Sequence, residues 1–296
     1  MRNLTYPGRA GLGRTILPAV AVLLFVISCA PPVPRLTGAA ADFDDAKVMF
    51  KRGRFDRAMG FTDNLVTASP PNKFTEKARV LRAVILVGEI KAYKSLAEAY
   101  SKGVDNTQNP HFKAAYERQR HDNLQLGGKR ALDLGEVALQ LTQGGVLPKE
   151  LVLEASYPDI EGPVEVKELL RVSEGGWVEP EQQEAAAVDA LRKGVDDSLA
   201  EVVGGDRSKA RTALSAGPVK LDSVDFGLFL GRMVFEGASL FDRKHFRDSQ
   251  KFKTLLDVGD GVTKAVSAMV KENPDKEKEA KVRKLQDRIK AALRAV

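Results

Sequence analysis

Cys29 is the only cysteine of the chain, and its surroundings limit what its thiol can do. It closes an apolar run from Ile16 to Ser28 and is followed almost at once by Pro31, Pro32 and Pro34. A single thiol forms no intramolecular disulfide. A buried core cysteine, the commoner role of a lone one, needs regular structure around it, which a proline-rich flank does not supply. What is left is a thiol at the end of an apolar segment, open to covalent modification. The other chemistry-bearing residues are thinly spread. His111, His121 and His245 form no His-Glu-x-x-His pattern, so a zinc site lacks its usual ligands. Gly127-Gly128-Lys129-Arg130 lacks both the upstream glycine and the following Ser or Thr of a phosphate loop, and no Gly-x-Ser-x-Gly elbow occurs. No catalytic residue, metal ligand or cofactor is expected.

The segment before Cys29 explains its position. Residues 1 to 15 carry Arg2, Arg9 and Arg14 and no acid, and the apolar run that follows is interrupted only by Pro18. That is the charged n-region and short h-region of a secretory signal. As a helix the run rises only about 20 Å, against roughly 30 Å of bilayer hydrocarbon, so a permanent span is not expected. Val26, Ile27, Ser28 and Cys29 resemble the bacterial lipobox position by position: an aliphatic residue, a small or aliphatic one, a small one, then Cys. The resemblance implies diacylation of the Cys29 sulfur, cleavage of the signal before it, and a lipid-held mature protein. Two or three acyl chains exceed the single chain whose membrane binding is only marginal. Ala30 stands where an Asp would imply inner-membrane retention, so the resemblance points to the periplasmic face of the outer membrane.

These elements divide the chain into a lipoprotein signal peptide (1–28), a lipidated Cys with a Pro/Ala-rich tether (29–41), and two helical regions (42–143 and 144–296). The formal charge of +6 falls to +3 once the leader's three arginines are removed. With both signs interspersed and an export signal present, nucleic acid is set aside as a partner.

From Asp42 onward the apolar spacing is helical and no stretch alternates like a strand beside a hairpin turn, so the expectation is all-α. Short helices are expected over Phe43–Lys51 and Phe55–Val66, split by Arg52-Gly53-Arg54. A longer element over Phe74–Ser101 is continuous or meets as a pair near Gly88, and His111–Gln143 reads as a pair broken at Gly127-Gly128. Residues 146–176 are rich in Pro and Gly and give no clear element. Pro180 opens a helix closed by Gly204-Gly205. Further helices are expected over Ser208–Leu214, Val224–Arg243, Phe246–Val258 and Val262–Glu272. Asn273-Pro274 precedes a last amphipathic helix with Val282, Leu285, Ile289, Ala292 and Val296 on one stripe and lysines and arginines opposite. Such a basic face is ordinarily solvated, with anionic lipid or cell wall as the functional reading. Trp177 is expected to dock the Pro180 helix onto the core.

The segment Ala46 to Pro70 resembles a tetratricopeptide repeat. Ala46 takes the small position of the first helix, Met49 a large apolar one and Gly53 the turn; Phe55 and Ala58 open the second helix, Leu65 is apolar near its end, and Pro70 stops it. Thr62 departs from the family, which prefers an aromatic there. A second register supports a divergent repeat: Met49–Phe55 aligns with Leu240–Phe246, pairing Phe50 with Phe241, Phe55 with Phe246 and, further on, Phe61 with Phe252. Ala46 meets Gly237 at the small position. The resemblance implies stacked hairpins whose surface binds proteins or peptides. The expected function is therefore a membrane-anchored helical-repeat scaffold in the bacterial envelope, not an enzyme, with an envelope protein as partner. The alternative is a helical-bundle, solute-binding accessory lipoprotein of a transport system. Glu154-Ala155-Ser156 falls short of the Glu-Ser motif of lytic transglycosylases, since Ala155 interrupts the pair and no Gly-Leu-Met-Gln follows.

Overall fold

The computed structural model describes residues 37–159 and 167–295. Val26, Ile27, Ser28 and Cys29 lie outside the described residues. Thr37 opens a single compact unit. Among the described residues it holds ten α-helices and two three-residue strands, so the fold is all-α. The helices are α1 (Ala39–Lys51), α2 (Phe55–Val66), α3 (Thr75–Asn106), α4 (Pro110–Leu141), α5 (Lys167–Ser173), α6 (Pro180–Val203), α7 (Arg207–Ala216), α8 (Ser223–Ala238), α9 (Ser249–Glu272) and α10 (Lys276–Arg294). The strands are β1 (Leu151–Leu153) and β2 (Val219–Leu221).

Most helix starts are set by a side chain that accepts from an otherwise unpaired first-turn amide. Asn109 Oδ1 takes the His111 amide at 2.9 Å ahead of α4, with Pro110 at the first helical position. Asp206, Asp222, Asp248 and Asp275 do the same for α7 to α10. Glu179 and Gln182 form a reciprocal capping box at α6, which ends on the left-handed Gly204 (φ 109°). Helix α1 begins at Ala39, inside the stretch read as tether, because Ala39-Ala40-Ala41 are strong helix formers.

Two expected breaks are absent, and of the two alternatives at Gly88 the continuous helix holds, for one shared reason. Gly88 lies mid-way along an unbroken α3, Gly127-Gly128 within an unbroken α4, and Gly259 within an unbroken α9. Each glycine is a place where another element comes close. A Cβ on Gly128 would sit 3.0 Å from the Phe241 ring, and one on Gly259 3.4 Å from Ile289 Cδ1. At Gly88 it would sit 2.5 Å from Val195 Cα. The helical hydrogen bonds carry on through the glycines, and packing offsets their modest propensity cost.

The strands correct the expectation of none. They pair antiparallel in the register Leu151 to Leu221, Val152 to Lys220 and Leu153 to Val219. Three residues are too few to show alternation in a sequence. Ser223 Oγ secures this corner by donating to the carbonyls of Pro148 (2.7 Å) and Lys149 (3.1 Å).

Helix α3 is the centre of the unit. Its run Val80 to Val87 includes Val80, Leu81, Ala83, Val84, Ile85, Leu86 and Val87, all fully buried, so this stretch is apolar on every side but the one that carries Arg82. Its first half joins α1, α2, the second half of α4, both strands and α8 to α10 in one core. Its second half, Ala92 to Val104, builds another with Tyr116, Leu169, Val172, Val178, Ala186 and Ala190. Both cores draw on residues from either side of position 144, and α3 and α4 run through both.

The first hairpin buries the positions singled out in the sequence. Ala46, Phe55, Ala58 and Leu65 are buried, Met49 is half-buried, and Gly53 makes the turn at φ 67°. Pro70 is exposed and four residues past the end of α2, so it does not end that helix. Arg79 does: its Nη2 and Nε donate to the Val66 carbonyl at 2.9 and 3.2 Å. The 191-residue register also has a physical counterpart. Phe50 and Phe55 pack with ring centroids 5.6 Å apart, and Phe241 and Phe246 with 5.9 Å. Phe246, however, lies in the loop ahead of α9, whereas Phe55 is the first residue of α2.

Candidate functional site

Helices α6, α8 and α10 enclose a surface groove of about 340 Å³. Its floor is apolar, from Leu228 and Phe229 of α8 and Leu285 of α10. The capping Asp275 sets where α10 starts, and Val282, Leu285 and Ile289 bury one stripe of it. That geometry turns Lys281, Lys284 and Arg288 to the rim, where Arg232 of α8 joins them. Two carboxylates, Glu201 and Asp225, also line the groove, and both are already paired. Glu201 holds Lys91 at 2.7 Å and Arg232; Asp225 holds Lys278 at 3.0 Å. Lys281 pairs with Glu277 at 2.6 Å. Among the described residues neither Lys284 nor Arg288 has a carboxylate partner. The Arg288 guanidinium instead sits 4.9 Å from the centre of the Phe235 ring, a contact that holds its stem and leaves the charge available. Burial lowers the Lys91 pKa from its ordinary value, with nearby Arg232 acting the same way. The arrangement suits an acidic partner with an apolar side chain or two to place on the floor.

A second polar cluster is inside the protein. Glu89 of α3 is 1% exposed, and Arg130 Nε of α4 approaches its Oε2 at 2.6 Å without the alignment of a hydrogen bond. Arg130 also pairs with Asp56 of α2 and, at 3.4 Å, Asp133. One guanidinium thus braces three helices. Burial pushes the Glu89 carboxyl up to about 7, Arg130 opposes this, and the negative Asp56 and Asp133 add to it. Tyr93, packed in the same place, is pushed up to about 12 by burial and then by Glu89. No local signal in the sequence joins these residues, because they come from three different helices.

The remaining sequence candidates are dispersed. Trp177 does dock the start of α6: it stacks on Phe112 of α4 with centroids 4.7 Å apart, and its Nε1 donates to Glu179 Oε1 at 3.1 Å. Glu154 is tied to Lys47 and Lys77 at 3.2 and 2.6 Å. Those two lysines outweigh its burial and hold its carboxyl below the ordinary range. A catalytic acid needs the opposite shift. His121 and His245, distant in sequence, line one pocket, and His111 is elsewhere. Among the described residues no three His, Cys, Asp or Glu side chains are grouped to hold a metal ion, and no helix is long and apolar enough to cross a membrane. Comparison with protein families, with curated proteins and with solved structures gave no match.

Proposed function

We propose that this chain is a lipid-anchored protein of the bacterial cell envelope whose helical body is a scaffold for another envelope protein. The anchor is Cys29, cut and acylated at Val26-Ile27-Ser28-Cys29, with the outer membrane's periplasmic face as its destination. The tetratricopeptide-like reading of the first hairpin belongs to the same proposal, supported by the burial of Ala46 and Ala58 where two helices meet. The observation that carries the binding role is the groove of α6, α8 and α10: its carboxylates are paired, among the described residues its Lys284 and Arg288 have no carboxylate partner, and its floor is apolar. Such a surface recognises acidic protein segments and sets their approach rate more than their ultimate affinity.

The test is affinity purification after mild crosslinking in cells, comparing the natural chain with Lys284→Glu/Arg288→Glu. Both positions are exposed, so the fold persists, and a specific partner recovered with the natural chain is expected to be lost with the variant. Equal recovery of every crosslinked protein by both chains would remove the groove from the proposal.

The anchor has its own expected result. Cys29→Ser abolishes labelling by a clickable palmitate analogue and leaves the chain unprocessed or released. Undiminished labelling of that variant would end the lipoprotein reading.

A further inference from the structure

The pocket that unites His121 and His245 gathers more positive charge than the protein neutralises. It measures about 250 Å³ and lies where α3, α4 and the loop between α8 and α9 converge. Lys94 comes from α3, Arg120 and His121 from α4, and Lys244 and His245 from the loop. Among the described residues Glu98 is the only carboxylate on its walls. Among the described residues none of the three cations, Lys94, Arg120 or Lys244, is in an ion pair.

The loop is held firmly enough to be a wall. Asp242 Oδ1 accepts from the Lys244 amide at 2.8 Å, and Phe246 packs on Phe241. The His245 Nδ1 lies 2.9 Å from Asp242 Oδ1 and 3.0 Å from the Ser239 carbonyl oxygen. Both partners only accept, so Nδ1 donates to them, which fixes the ring in the pocket wall. His121 meets the Phe246 ring edge-on, with centroids 5.8 Å apart. Leu124, Leu240 and Ala97 supply an apolar side to the same pocket.

Three cations facing one carboxylate leave the pocket with an excess of positive charge, and an anion placed among them offsets it. One guanidinium offers a paired fork of donors, and two lysines add point charges from other directions, which fits the several oxygens of a tetrahedral anion better than a single planar carboxylate. We propose that this pocket binds a phosphoryl group, carried either by a small soluble phosphate ester or by the headgroup of a phospholipid whose first carbons rest on the apolar side. The site is separate from the groove of α6, α8 and α10 and does not depend on a protein partner there.

Titration calorimetry on the purified full chain tests it, with three probes: inorganic phosphate, glycerol 3-phosphate and water-soluble dihexanoyl phosphatidic acid. Saturable binding is expected that weakens with added salt. Lys94→Gln and Arg120→Gln are each expected to reduce affinity by about tenfold, and the double variant to abolish it. Lys271→Gln/Lys276→Gln, with the same loss of charge elsewhere, should bind as the natural chain does, and circular dichroism verifies that all variants are folded. Similar affinity for glycerol 3-phosphate and the lipid assigns a soluble ester. A marked gain for the lipid, lost in the double variant, assigns a headgroup. No saturable binding of any probe, or binding that the Lys94 and Arg120 substitutions leave unchanged, overturns the proposal.

Discussion

Gly194→Val is expected to destabilise the protein by about 3 kcal/mol or more, the upper end of overpacking effects, and at the extreme to leave it unfolded. Helices α3 and α6 cross backbone to backbone at Gly88 and Gly194. A Cβ on Gly194 would run into the Gly88 carbonyl and come 3.2 Å from Ala92 Cβ, while one on Gly88 would lie 2.5 Å from Val195 Cα and 2.7 Å from its nitrogen. Backbone atoms cannot swing aside as a side-chain tip does. The helices would have to part, opening the seam where Ser198 Oγ donates to the Val84 carbonyl at 2.9 Å. Gly60→Ala is the matched contrast. Gly60 is also helical, but a Cβ there meets nothing within 4 Å, so the substitution should stabilise by roughly 0.5 to 1 kcal/mol through helix propensity. Urea unfolding of the two variants measures both signs. Equal midpoints for Gly194→Val and the natural chain would mean that the crossing is not this close.

Stability should fall as the pH rises from about 4.5 to above 7, and Glu89 is the reason. Its carboxyl is raised from 4.5 in the unfolded chain to about 7 in the fold. Between those values the native state holds a proton that the unfolded state has released, so raising the pH favours unfolding. The stabilisation is fully present below the unfolded value and is lost as the pH passes the folded one. A shift of this size corresponds to roughly 3 kcal/mol. The groups facing Glu89 are Arg130 and Asp133 from α4, Asp56 from α2 and Tyr93 from its own helix. The carboxyls held low, such as Glu154, Asp222 and Asp242, act in the opposite sense but only at more acid pH. Glu89→Gln should therefore flatten the stability profile between pH 5 and 8, as read from chemical unfolding at each pH. A profile that keeps its slope in the variant would assign the effect to another group.

The helices and most of their ends were legible because their signals are local. The Pro180 start and the Gly204 stop act within one turn, so neighbouring residues suffice to see them; the capping Asn109 and Asp222 lie two residues ahead of the starts that apolar spacing alone gives. Breaks were expected at Gly127-Gly128 and near Gly259, and the choice at Gly88 stayed open, because a helix interior tolerates Gly when another element needs the space, and that element is far along the chain: Phe241 for Gly128, Ile289 for Gly259, Val195 for Gly88. The strands β1 and β2 were hidden for a related reason, since each exists only by pairing with the other. The same distance separates His121 from His245 and Glu89 from Arg130. The groove was half visible. The basic face of the last helix stood out in the sequence, but Arg232 and the apolar floor come from α8, and only the packing of α8 against α10 makes a groove of them.

The pairing of β1 with β2 has a consequence for how this chain can change over generations. Residues 154–218 depart from one strand and return on its antiparallel neighbour, so the whole excursion enters and leaves the body at a single place. Two antiparallel neighbours can be joined by a turn of two residues. Changes of length in the exposed connections inside 154–218 therefore need not redirect the rest of the chain. What ties the excursion down is the close seam at Gly88 and Gly194 together with the core that Leu169, Val172, Val178, Ala186 and Ala190 share with α3 and Tyr116, a lock of shape rather than of connectivity. A lineage could vary the lengths of the loops joining α5, α6 and α7, provided that it kept a residue without a side chain where α6 meets α3 and the apolar residues that cover the second half of α3.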